Sequence, residues 1–231
     1  MTQTRRERIR TETIDEIKAT AWKQVAEQGA ASLSLRAIAR EMGMTAPGLY
    51  RYYKDRDALV TALLTDAFDS FCIAMETARD EFAADDHEGR FRAIAKSYFQ
   101  WAAADPQKYL FLFGTPIPGY QFAPELGASA QRSFLVLQGV IGEAHVAGKV
   151  TGELTSLRLP TDLKSQYEAL KKMGMPYVPV VTHLALYTWS MIHGMTSLFL
   201  YGYFTGFLGE QVEAFVDVEI EKMIRILGLN Q

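Results

Sequence analysis

Between Ser34 and Leu59 the chain reads SLRAIAREMGMTAPGLYRYYKDRDAL, two short amphipathic segments on either side of a glycine. No other stretch limits the possible folds so narrowly. Leu35, Ile38, Ala39 and Met42 recur at helical spacing and form one apolar stripe, with Arg36 and Arg40 off it. Ser34 stands where a hydroxyl can accept a first-turn N–H, and Gly43 suits the left-handed residue that ends helices. Thr45 is the expected N-cap of a second helix from Ala46 to about Tyr53. Pro47 falls in its first turn, where a missing N–H does no harm. Leu49 and Tyr53, four residues apart, are expected to pack inward, leaving Thr45, Ala46, Gly48, Arg51 and Tyr52 outside. Asp55 can cap the following helix, whose apolar face starts at Leu59, Leu63 and Leu64. A turn of about three residues between two helices is the span of a helix-turn-helix, whose second helix enters the major groove of DNA. The competing reading is an ordinary helical hairpin in an all-α core. The shortness of the second segment and its outward Tyr, Thr and Arg favour the groove reader, because so short a helix must be held by its neighbours.

Charge looks unfavourable at first, with a formal net charge of −3 over 231 residues. Its distribution is not. The first 60 residues carry 11 Lys/Arg against 8 Asp/Glu, and the remainder carries 13 against 19. Phosphate attraction follows the local field rather than the total. The cluster Arg5-Arg6-x-Arg8-x-Arg10 reads either as a disordered arm following the DNA backbone or minor groove, or as the solvated start of a helix. The single cysteine, Cys72, excludes an internal disulfide framework. Lying among Phe68, Phe71 and Met75, it reads as a buried small residue, with a redox sensor as the alternative. The polar N-terminus shows no secretory signal.

Beyond the helix-turn-helix the chain reads as helical throughout. A first helix is expected over about Arg8 to Gln28, with Ile14, Ile17, Ala21, Trp22 and Val25 inward and Gly29 as its stop. Further helices are expected over about Arg56–Phe82, Gly89–Ala104, Gln107–Phe113, Pro124–Lys149, Asp162–Met173 and Glu210–Leu227, with a polar loop at 84–89 and a turn-rich loop at Gly114–Gly119. The division expected is a DNA-binding head over 1–55 and a helical body over 56–231. From Pro176 to Gly209 no Asp, Glu, Lys or Arg occurs. That length can span a bilayer, but its Thr, Ser and His content favours a soluble helix covered on all sides. The expected cover is a second copy, two helices from each subunit forming a four-helix interface about a two-fold axis.

Residues Leu33–Leu59 resemble the DNA-binding domain of the TetR family of transcriptional regulators, through Ile38-Ala39, Gly43-Met44-Thr45, Leu49-Tyr50-Arg51-Tyr52-Tyr53 and Arg56-Asp57-Ala58-Leu59. Tyr52, Tyr53 and Arg56 stand where the family commonly has His, Phe and Lys, and Pro47-Gly48 replaces its usual Gly-Thr. Gly48 therefore lacks the side chain with which the family often reaches a base. Trp189, His193 and Gly194, together with the loop Phe113–Tyr120, resemble the C-terminal domain of a TetR subgroup marked by a Trp-His-Gly signature.

The resemblance implies a homodimeric, ligand-responsive repressor in the cytoplasm, acting on a near-palindromic operator. The expected phosphate anchors are Arg36, Thr45, Tyr50, Tyr52, Lys54 and Arg56. Ala46, Pro47, Gly48 and Arg51 sit where base edges would be read; Arg51 can reach a guanine, and Ala46 or Pro47 a thymine methyl. Trp101, Phe113, Tyr120, Phe134, Tyr187, Trp189 and His193 are expected to line a pocket for an apolar or flat aromatic effector that acts through the helix beginning at Arg56. Trp189 and His193, four apart, share a helical face. The rival readings are an architectural DNA-binding protein without effector, and an enzyme. Against the enzyme stand the lack of a Gly-rich phosphate loop, of a metal-spaced Cys/His set and of a nucleophile motif. His87, His145, His183 and His193 are scattered, with His87 expected in solvent. No catalytic residue, metal or cofactor is expected.

Overall fold

The computed structural model describes residues 4–156, 158–171 and 178–229. Every regular element among them is helical. The first, α1 (Arg5–Gln28), starts three residues before the sequence pattern indicates, because a capping box opens it. The Thr4 hydroxyl accepts from the Glu7 N–H at 3.3 Å, and the Glu7 carboxylate accepts from the Thr4 N–H at 2.8 Å. The basic cluster is therefore a helix start, and the disordered arm is excluded for Arg5–Arg10.

Next come α2 (Leu35–Glu41) and α3 (Ala46–Tyr50). The chain continues as α4 (Arg56–Asp80), α5 (His87–Ala104), α6 (Pro106–Phe113), α7 (Leu126–Val146), α8 (Thr161–Lys171), α9 (Pro179–Leu200), α10 (Thr205–Leu208) and α11 (Val212–Leu227). The expected end of the 162–173 helix and the expected start of the uncharged segment at Pro176 lie outside the described residues. One expectation is corrected: His87 is not a solvated loop residue. The Asp86 carboxylate accepts the Gly89 N–H at 2.8 Å, starting α5 at His87, and the half-buried imidazole has a buried Nδ1.

The chain forms two compact units. One takes the described residues up to Phe68 together with Gln107–Gly127; the other takes Asp69–Pro106 and the described residues from Ala128 on. This differs from a break at residue 55. The reason is packing: Phe111, Ile117 and Leu126 enter the same core as Ile17, Leu35, Ile38, Leu49, Leu59 and Leu63. Burying six or more such side chains at about 1.5–3 kcal/mol each outweighs any boundary that loop composition marks. Among the described helices α4 is the one long and apolar enough to cross a membrane, yet Leu59, Leu63, Phe71 and Met75 are all buried in protein.

In the second unit α5, α9 and α11 pack on one another, burying Phe91, Ile94, Tyr98, Leu184, Ile192, Val216 and Ile220. Arg92–Glu221 at 2.8 Å and Lys96–Asp217 at 2.9 Å join α5 to α11. Exposed pairs of this kind contribute about 0–1 kcal/mol each, so the apolar core holds the unit.

Candidate nucleic-acid interface

The turn between α2 and α3 is fixed by backbone geometry. Gly43 has φ +65°, its N–H bonds Arg40 O at 3.2 Å, and the Met44 N–H bonds Ala39 O at 2.8 Å. This is a Schellman arrangement, and a side chain at position 43 would strain it. Caps fix both helices: Ser34 Oγ accepts from Ala37 N–H at 3.4 Å, and Thr45 Oγ1 from Gly48 N–H at 3.2 Å. Leu49 is fully buried beneath α3. The helix ends at Tyr50 rather than Tyr53: residues 51 and 52 form a turn in which the Arg51 N–H bonds Gly48 O at 3.4 Å, and the Tyr52 and Tyr53 N–H groups bond Leu49 O. Just beyond it, Asp55 Oδ1 accepts from the Ala58 N–H at 2.7 Å and caps α4.

What remains outside is polar and basic. Arg36, Thr45, Pro47, Tyr50, Arg51 and Lys54 are exposed, while Ala46, Gly48 and Tyr52 are half-buried. The Thr45 oxygen accepts in the cap but keeps its O–H to donate. Arg56 behaves differently from the others: its guanidinium donates to three backbone carbonyls, those of Leu33, Ala30 and Pro118, each at 3.2 Å. Tyr53 is 8% exposed, and burial, reinforced by the Asp66 and Asp15 carboxylates, pushes its phenol up to about 12.

A cleft of about 310 Å³ opens beside α3. Arg6, Ile9 and Arg10 of α1 form one wall, and Met44, Gly48, Arg51 and Tyr52 the other. The Arg10 guanidinium lies over the Tyr52 ring, 5.1 Å from its centroid. Sequence reasoning marked Arg6 and Arg10 only as part of a disordered arm along DNA or a solvated helix start, and missed Ile9 and the cleft the three share with α3. The signal was present in Thr4-x-x-Glu7: once the helix is capped at Thr4, positions 6, 9 and 10 share a face.

The residues expected around an effector fall in both units. In the first, the Tyr120 hydroxyl and Thr61 Oγ1 are 2.9 Å apart, and Phe113 meets Tyr109 at 5.2 Å between ring centroids. In the second, three of the expected residues join one aromatic chain. Trp101 leans on Phe71 at 4.9 Å, and Phe71 meets Tyr98 edge-on at 4.8 Å. The Tyr98 hydroxyl and His193 Nδ1 are 2.9 Å apart, and Trp189 stacks on His193 at 5.0 Å. Phe71 and Tyr98, which the sequence pattern marks only as core, are the links. Burial lowers the His193 pKa, keeping the imidazole neutral. Phe134 and Tyr187 are half-buried in the same unit.

A two-helix unit with a fixed turn, a short second helix and a basic outer face defines a helix-turn-helix DNA-binding protein. Residues 17–63 match the family described as bacterial regulatory proteins, tetR family, and residues 91–223 match its tetracyclin repressor-like C-terminal domain. The chain belongs to the TetR family of transcriptional regulators, whose members are not enzymes. The HTH-type transcriptional regulators Rv1816 of Mycobacterium tuberculosis and Mb1846 of Mycobacterium bovis are each 31% identical to it over 209 residues, which is 89% of this chain and 88% of theirs. The crystal structure of the regulatory protein SCO4313 is 33% identical, with a TM-score of 0.79 over 96% of this chain and 99% of that one. FadR of Bacillus subtilis, solved with stearoyl-CoA, is 14% identical with a TM-score of 0.63 over 92% and 98% of the two chains, a likeness of fold alone.

Proposed function

We propose that the chain is a homodimeric, effector-responsive repressor working on DNA in the cytoplasm. Its two heads dock in successive major grooves of a near-palindromic operator, about 34–36 Å apart. The observation that carries this reading is the outer face of α3, where Thr45, Pro47 and Arg51 stand exposed on a helix pinned by buried Leu49. Ala46, Pro47, Gly48 and Arg51 read base edges, with Arg51 on guanine. Arg36, Thr45, Tyr50, Tyr52 and Lys54 hold phosphates. Arg56 serves the same surface from behind, by bracing the backbone that presents it.

Dimerisation uses α9 and α11. Between them runs a mostly apolar groove of about 430 Å³, lined by Met191, Gly194, Met195, Leu198, Phe204, Phe215 and Met223 together with Ser190 and Glu219, whose carboxylate pairs with Lys222 at 2.6 Å. Exposed Tyr201, Tyr203 and Phe207 lie in the same stretch of chain. Large exposed apolar patches mark interaction sites. The effector binds in the second unit beside Trp101, Phe134, Tyr187, Trp189 and His193, and is apolar or aromatic. Phe113 and Tyr120, also expected at the effector, lie in the first unit. The effector biases two states through α4, which contributes residues to both units, and needs different affinity for the two. Trp189, His193 and Gly194 support membership of the Trp-His-Gly subgroup.

Selection of duplexes from a random pool on the purified protein, with light scattering on the same sample, tests the reading. A two-chain particle that enriches a near-palindrome is expected, and Arg51→Ala is expected to flatten the enrichment without changing the mass. A one-chain particle that retains no duplex overturns it.

A further inference from the structure

We propose that the cleft between α1 and α3 is a phosphate seat, with Arg6 and Tyr52 as its phosphate ligands and Arg10 as the residue that positions Tyr52. The inference rests on the DNA-binding reading above and extends the contact surface onto α1. Its occupant is the sugar-phosphate backbone bordering the groove that α3 enters.

Three features of the cleft lead there. Its charge has one sign: Arg6, Arg10 and Arg51 line it, and no carboxylate does. Nearby acids are occupied elsewhere. The Glu7 carboxylate is turned back onto the Thr4 N–H at 2.8 Å and the Thr4 hydroxyl at 2.9 Å. Glu12 faces Arg8 at 3.8 Å, on a different flank of the helix. Three guanidiniums in one concavity repel one another unless an anion joins them, and a phosphate oxygen pair matches their planar fork.

The second feature is shared membership. Gly48 and Arg51 belong both to the cleft wall and to the outer surface of α3 and its turn. A duplex seated on that surface therefore runs past the mouth of the cleft. Gly48 adds no side chain to obstruct it, and Ile9, 47% exposed, offers an apolar contact suited to deoxyribose.

The third is rigidity. The capping box makes Arg6 and Arg10 part of a helix that is continuous with the buried residues Ile17 and Ala21. Their side chains are carried on a fixed rod, so less chain entropy is lost on binding than from a free arm. Arg10 stacked on Tyr52 keeps its charge while its ring partner is held in one orientation. Arg10 thus acts through Tyr52, which shares a wall of the cleft with Arg51.

Fluorescence anisotropy with a labelled 30-base-pair duplex of arbitrary sequence, over a potassium chloride series, tests this without knowledge of the operator. Removing one phosphate interaction lowers the slope of log K against log salt by about 0.9. The Arg6→Ala/Arg10→Ala double variant is expected to reduce the slope by about one unit per bound head, and Arg6→Lys/Arg10→Lys to restore it. Arg8→Ala, on the same helix but outside the cleft, is expected to leave the slope near the wild-type value. Circular dichroism confirms that each variant is folded. A folded double variant with wild-type slope overturns the seat. So does an Arg8→Ala reduction equal to the double variant's, which marks a diffuse field instead. A wild-type chain that binds no duplex at low salt removes the DNA-binding reading and the seat together, an outcome distinct from the other two.

Discussion

Arg56 holds Pro118: its Nη1 donates to the Pro118 carbonyl at 3.2 Å, across 62 positions of sequence. The same guanidinium donates from Nε to Leu33 and from Nη2 to Ala30. A residue at the start of α4 thus ties together the approach to α2 and the turn-rich loop after α6. The Tyr120–Thr61 hydroxyl pair, 2.9 Å apart, fastens the same loop one turn further along α4. These two contacts add polar ties to the shared apolar core that joins Gln107–Gly127 to the head.

Arg56→Ala is expected to lower stability by about 2–3 kcal/mol, since hydrogen bonds to charged donors are worth about 1.5–3 kcal/mol each and partial exposure lets water replace some of them. Arg56→Lys, with a single ammonium in place of the planar fork, recovers only part. Urea denaturation measures the loss. The slope of DNA affinity against salt stays at its wild-type value in both variants, because this guanidinium faces backbone carbonyls. A slope reduced by a full unit with unchanged stability would instead make Arg56 a phosphate ligand.

His193 gives the acid limb of the stability profile. Burial depresses its pKa below 6.5, so the folded protein holds the imidazole neutral beside the Tyr98 hydroxyl. The unfolded chain takes up a proton first as pH falls. The stabilisation is therefore complete above pH 6.5 and is lost as pH drops below 6.5 towards the folded value. Urea midpoints measured from about pH 7.5 to about pH 5 are expected to fall for the wild type and to fall less for His193→Gln. An imidazole resonance that titrates in the folded protein at or above 6.5 contradicts this.

Cys72 and Tyr53 govern the alkaline limb. Burial pushes the Cys72 thiol up to about 11, and burial with the Asp66 and Asp15 carboxylates pushes the Tyr53 phenol up to about 12. In each case the unfolded group ionises first. Stability is expected to decline as pH rises from about 9 through 11 for the thiol and from about 10 through 12 for the phenol. Cys72→Ala removes the earlier part of the decline. At about pH 8 only about one thiol in a thousand is ionised in the fold, so an aromatic disulfide reagent reacts at the rate of local opening and speeds up with urea. Prompt stoichiometric reaction in buffer refutes the buried reading and restores the redox sensor.

The head was legible because its constraints are local. Ser34, Gly43, Thr45 and Asp55 act within four residues of themselves, and every one of those caps or turns is present. The start of α1 was equally local, but the Thr4-Glu7 capping box sits among arginines that read as an arm. Long-range pairing was not legible. Nothing in the sequence couples Arg56 to Pro118, and a surface Arg beside a groove-reading helix looks the same whether it faces phosphate or carbonyl oxygen. The effector side shows the same limit. Trp101, Trp189 and His193 stand out in the sequence as aromatics, yet the residues joining them, Phe71 and Tyr98, lie on α4 and α5 and read as plain core.

The uncharged segment leaves its own test. On α9, Ile192 and Thr196 are buried away from the groove, whereas Met191 and Leu198, which line it with Met195, are 41% and 43% exposed. Position 198 therefore tolerates a polar side chain within one chain, but not between two apolar faces. Leu198→Glu is expected to keep the helical content and to convert a two-chain particle to a one-chain particle, because an unpaired carboxylate buried in an interface costs several kcal/mol. Leu198→Ala removes area without adding charge and should weaken association by about tenfold, on the scale of about 1.4 kcal/mol per decade. Light scattering over a concentration series reads both. If the one-headed Leu198→Glu protein still recognises a single half-site, its affinity for the full near-palindrome falls to that of one head, since the linkage between heads supplies the remainder. A Leu198→Glu protein that stays a two-chain particle moves the interface off α9.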